Sequence, residues 1–160
     1  MNPVTELLAE RLDEITAEVV GEIVGRVPAY TGLSAAMILT LVRDALTVYT
    51  GAQDRRAALD HFRRLGAHEA RAGQDVRHLE SALRSGARVL IRRTANAAAR
   101  VHPPNTEFIA VMESAFSAED QIIEAAVDGH HAAGHHHAAR PRTGSRLYPL
   151  IPRSHRYSAN

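Results

Sequence analysis

Along the first 128 positions, apolar residues return at intervals of three and four. That is the period of an α-helix with one buried side. Leu8, Leu12, Ile15, Val19 and Ile23 form the first such stripe. Asn2 ahead of Pro3 supplies a cap and a first-turn residue, and Pro28 ends the segment, so a helix is predicted over 3–27. Glu10, Asp13, Glu14, Glu18 and Glu22 occupy its other side and read as solvated. The PAYTGL stretch that follows is a loop.

Four more segments repeat this pattern. Ser34 caps a second helix reaching about Thr50, with Ile38, Leu41, Val42, Ala45 and Tyr49 as its inner side. Gly51 suits the left-handed position after it. A third helix, from about Asp54 to Ala72, buries Leu59, Phe62 and Leu65, and Gly73 closes it. Asp75 caps a fourth, whose stripe runs through Val76, Leu79, Leu83, Gly86, Val89 and Leu90 to about Val101. Pro103 and Pro104 cannot continue it. Asn105 or Thr106 opens a fifth, with Phe108, Met112, Phe116, Ile123 and Val127. Ser117 with Asp120 three residues later resembles a capping motif, and predicts a break there.

No stretch alternates at period two for the length of a core strand. The expectation is an all-α, single domain of about five helices over 1–128. Aromatic residues are only 4% of the chain, so Ala- and Gly-mediated contacts must supply much of the packing. Gly66 and Gly86 stand inside helices, where each costs on the order of 1 kcal/mol relative to Ala. Close helix crossings at those points would compensate.

Charge divides the chain at the same place. Residues 1–128 hold all 18 acids and 14 of the 19 basic residues, a net charge of −4 that the overall +1 conceals. Residues 129–160 hold the other 5 basic residues, 6 of the 10 His and no acid. Their Gly, Pro, His and Arg content with few large apolar residues predicts a disordered basic tail. Every basic residue is Arg.

Composition also excludes function classes. With no Cys, disulfides, thiolate metal sites and Cys nucleophiles are ruled out. No apolar run reaches the roughly 18 residues of a membrane span. The N-terminus carries acids where a signal peptide needs a basic end, which points to the cytoplasm. Neither GxSxG nor a GK[ST] phosphate loop occurs, so no enzyme is expected, and no cofactor.

The text of the third to fifth helices resembles a known family. Leu65-Gly66, the step from Glu69 to Gly73, and Arg84-Ser85-Gly86-Ala87-Arg88 are followed by Phe116, Asp120 and Val127-Asp128-Gly129. These elements are similar to the N-terminal helical domain of actinobacterial PucR-type transcription regulators, related to the RsbR-type stressosome N-terminal domain. The resemblance covers about residues 5–131. It implies a globin-like or bundle-like sensor domain, commonly a homodimer, that binds a small ligand or a regulatory protein partner. In the regulators the output is a C-terminal helix-turn-helix on DNA. Here a basic tail without helical period stands at that place, which makes direct DNA binding doubtful. The expected dimer face combines helix one and helix five.

Three other chemistries compete with this reading. His130, His131, His135, His136 and His137 form a cluster in which His131 and His135, helped by Asp128, share a helical face that suits Zn²⁺ or Ni²⁺. A bare His-rich tract has no fixed geometry, however. His61, His68 and His78 raise haem on fold analogy, but no motif marks any as an axial ligand. A helix-turn-helix read over 66–93, with Arg77, Arg84, Arg88 and Arg92 towards phosphates, is opposed by the net acidity of the domain. Arg84 and Arg88 are instead expected to pair with Glu69 or Glu80 and fix the bend between helices three and four.

Overall fold

The computed structural model describes residues 2–51 and 54–139. Among the described residues the chain is all-helical, with no strand. Six α-helices run in the order α1 (Pro3–Ala9), α2 (Leu12–Arg26), α3 (Ala35–Tyr49), α4 (Arg55–Arg71), α5 (Val76–Val101) and α6 (Thr106–Ala139). A short 3₁₀ turn, Pro28–Tyr30, joins α2 to α3.

The predicted ends hold where local chemistry decides them. Asn2 Oδ1 accepts from the Val4 amide at 2.9 Å, and Asp75 Oδ1 accepts from the Arg77 amide at 2.8 Å. Val27, ahead of Pro28, is extended at φ −123° and ψ 96°, as a pre-proline residue prefers. Gly51 and Gly73 take positive φ of 71° and 80°, the left-handed exit that costs glycine least. Ser34 stands at the start of α3, but its side chain makes no capping bond.

Three expectations change. The helix predicted over 3–27 divides at Glu10–Arg11, where the Arg11 amide donates to Leu8 three residues back rather than four. The bend lets Val4 and Leu8 enter the core together with Ile15 and Val19. The break predicted at Ser117 is absent. Its hydroxyl donates back to the Ser114 carbonyl at 3.1 Å, and α6 runs unbroken for 34 residues, about 51 Å at 1.5 Å per residue.

The third change moves the boundary at 128. Helix α6 passes through Asp128 to Ala139. Gly129 lies against the backbone of Arg63 on α4, and Ala133 is buried. A segment without large apolar side chains still packs when the contact is a close backbone approach, which needs Gly and Ala. The expected tail therefore keeps only 140–160, which lie outside the described residues.

Helix α5 occupies the middle. It buries ten residues, among them Leu79, Val89 and Leu90, between α1 and α2 on one side and α6 on the other. Helices α4 and α6 close the molecule opposite α2. Small residues carry α6 through this interior: Ala115, Ala118, Ala125 and Ala126 are all buried.

Candidate functional site

Five helices leave a space between them. A cavity of about 130 Å³ is walled by α2, α3, α4, α5 and α6. Its surface is almost wholly apolar, from Val19, Ile23, Ile38, Phe62, Leu79 and Leu90 among others. Interiors normally pack to crystal density. The fold leaves this space unfilled at its centre.

Gly86 brings α5 close to α2 at the cavity wall. A Cβ there would meet Val19 Cγ1 at 3.3 Å and Ile23 Cδ1 at 3.8 Å. The close approach expected at Gly86 is thus made to side chains of α2. Gly66 makes a closer one, to backbone: a Cβ there would lie 1.8 Å from the Ala126 carbonyl oxygen.

Few polar groups reach the cavity. The Tyr30 hydroxyl donates to Glu69 Oε2 at 2.9 Å. Both residues line the space and both keep partial exposure. Burial and the Glu69 carboxylate together push the Tyr30 phenol up. Tyr49 also lines the cavity and is 1% exposed. Burial first, then the charges of Glu119 and Asp120, push its phenol up. No hydrogen bond engages the Tyr49 hydroxyl among the described residues. Glu119 is the remaining polar member.

Glu69 is therefore committed to Tyr30, which corrects the pairing expected for the arginines. Arg84 Nη1 instead lies 3.9 Å from Glu119 Oε1 on α6, so it ties α5 to α6 rather than fixing the bend to α4. Arg88 is exposed and forms no ion pair among the described residues. Gly73 supplies only the left-handed turn after α4.

The acids of α2 are not all solvated. Arg93 donates through Nε to Glu18 and through Nη2 to Glu14, both at 2.8 Å. Arg92 also donates to Glu18. Hydrogen bonds and charge from Arg93, joined by Arg11, hold Glu14 below the usual carboxylate range. Burial pushes Glu18 up, but hydrogen bonds from Arg93 and Arg92 outweigh it and leave it low. Glu14 and Glu18 are one turn apart, a spacing that shows a ridge but not its partner. Arg93 was invisible for that reason.

The histidines scatter. Asp128, His131 and His135 are all exposed on α6, and no group of three potential ligands suited to a metal occurs among the described residues. His130 turns inward, its Nε2 2.7 Å from the Gln74 carbonyl oxygen. That contact clasps α6 to the α4–α5 turn. His61 meets Asp44 of α3 rather than only solvent. None of His61, His68 or His78 lines the central cavity, so the cavity offers haem no axial histidine.

Helix α5, the expected recognition helix of the 66–93 reading, is the interior helix of the fold. Of its arginines, Arg84 and Arg92 already face carboxylates. The outer surface does keep an apolar stripe. Ile109 and Phe116 are 56% and 59% exposed, seven residues apart on α6, with half-buried Met112 between them. The stripe of the first helix is buried inside the monomer, because α1 and α2 fold it onto α5. The part of the expected dimer face assigned to helix one is thereby removed.

Residues 13–143 match the family model described as the RsbT co-antagonist protein rsbRD N-terminal domain. The chain belongs to this family. No curated protein and no solved structure matches it. Membership makes the chain a regulatory, sensor-like helical domain of the RsbR type. No helix among the described residues is long and apolar enough to cross a membrane.

Proposed function

We propose that this chain is the sensor part of a PucR-type transcription regulator, acting in the cytoplasm as a homodimer that responds to a small ligand or a protein partner. The supporting observation is the stripe of Ile109, Met112 and Phe116 on α6. Large apolar side chains left in water on one helical face suit a surface that another protein covers. Two copies of α6 packed about a twofold axis would bury this stripe against itself. No catalytic constellation is proposed.

Light scattering and sedimentation of the chain at micromolar concentration test this. The expected result is a dimer that the double variant Ile109→Glu, Phe116→Glu converts to a monomer of unchanged helicity. A wild-type monomer across that range overturns the reading. Salt-dependent, sequence-specific DNA binding that survives removal of residues 140–160 would replace it with direct recognition through α4 and α5.

A further inference from the structure

We propose that the central cavity is a binding site for a small, neutral, largely apolar molecule of about the size of a phenol, with one hydroxyl that pairs with Tyr49. This names the ligand class for the sensor reading and rests on that reading only for its consequence, since binding is measured directly.

Size comes first. Cavities of about 150 Å³ lined by Leu, Ile and Phe stay dry and bind benzene. The space here is about 130 Å³ with the same kind of wall, the scale of a single six-membered ring, and it is open on one side where a small substituent can extend. Small residues also border the space: Ala45, Ala82 and Ala87 stand on the same lining.

Charge and hydrogen bonding then narrow the class. The two ionisable side chains besides the tyrosines are Glu69 and Glu119, and no Arg or His lines the space. An anion would be repelled by both carboxylates and stripped of water without a cation to meet it. Glu69 already accepts from Tyr30, Arg84 lies 3.9 Å from Glu119, and the rest of the wall is apolar, so a cation would give up its water for two carboxylates whose charge is already partly met. What remains is Tyr49, buried, lining the cavity and without a partner among the described residues. A buried phenol seeks a hydrogen bond. A guest hydroxyl supplies one, and an unsubstituted hydrocarbon does not.

The Tyr30–Glu69 bond ties two parts of the lining together. Tyr30 sits on the 3₁₀ turn between α2 and α3, and Glu69 sits on α4. A guest that displaced this bond would free the turn from α4 and so reach the packing of α2 and α3.

Titration calorimetry of the full chain with phenol, benzene and benzoate tests the assignment. Phenol is expected to saturate at one per chain and benzoate to show no saturable heat. Tyr49→Phe should weaken phenol about tenfold, the loss of one neutral hydrogen bond, and leave benzene unchanged. Ala45→Leu and, separately, Leu83→Phe fill the space and should abolish both guests while the helical signal is kept. Absence of saturable phenol binding by folded wild-type chain overturns the proposal. So does equal binding of benzoate, or phenol binding by Tyr49→Phe at wild-type strength. Light scattering on the same samples reports the dimer separately, so failure here leaves the oligomeric reading standing.

Discussion

Gly66 and Ala126 bring the backbones of α4 and α6 into direct contact. A Cβ on Gly66 would fall 1.8 Å from the Ala126 carbonyl oxygen, and one on Gly129 would fall 1.9 Å from that of Arg63. Both obstacles are main chain, so no rotamer change relieves them. Gly66→Ala should therefore destabilise by more than about 3 kcal/mol, above the usual range for overpacking. Gly21→Ala, whose Cβ meets nothing within 4 Å, should stabilise by up to about 1 kcal/mol through helix propensity. Urea unfolding of both variants checks the contrast. Equal effects would contradict the close crossing.

Acid should loosen the joint between α2 and α5. Glu14 and Glu18 are held below the ordinary carboxylate range when folded. A carboxyl with a depressed folded-state pKa adds stability above its unfolded pKa and loses it as pH falls through the folded value. The melting temperature should thus fall from the ordinary carboxylate range downwards. In Arg93→Met, which removes the donor common to both acids, that slope should flatten. An unchanged slope would mean that other groups govern acid stability.

Thr94 is fully buried on α5, and its hydroxyl has no hydrogen-bond partner among the described residues. Thr94→Val keeps the shape and removes the unpaired polar atom, so stability should hold or rise by about 0–1.5 kcal/mol. The equally buried Thr16 donates to the Leu12 carbonyl at 2.7 Å. Thr16→Val should cost about 0.5–1.5 kcal/mol. Thermal melts of the pair distinguish a satisfied hydroxyl from an orphan.

Shortening the chain locates the end of the domain. A chain ending at Ala139 keeps the contact of Gly129 with α4, the bond between His130 and the Gln74 carbonyl, and buried Ala133. A chain ending at Asp128 loses all three. The shorter form should be less stable by about 1–3 kcal/mol. Matching melting curves would restore the boundary at 128.

Much of the helical plan was legible because its signals are local. Asn2, Asp75, Gly51, Gly73 and Pro28 act on their own few neighbours, and the three-and-four spacing marks which side is buried. Part of the candidate site was legible in the same way. Gly66 and Gly86 stood out as glycines where helices disfavour them. Their roles differ, one touching backbone and the other bordering a cavity, because the partner helices differ. Tyr30 lay in a plain loop and Arg93 beside a more conspicuous neighbour, so neither carried a signal.

The amino-acid sequence by itself determined that this is an all-helical chain, where most helices start and stop, and, outside α6, which side of most helices faces inward. Those properties follow from capping, proline, glycine and periodicity, which operate within a turn or two. The tertiary structure alone decided the bend at Glu10–Arg11, the passage of α6 beyond Asp128, the pairing of Arg84 with Glu119 and the empty space beside Tyr49. Each depends on residues from different helices meeting in space. A repeat of three and four specifies a side to bury and leaves open what it is buried against.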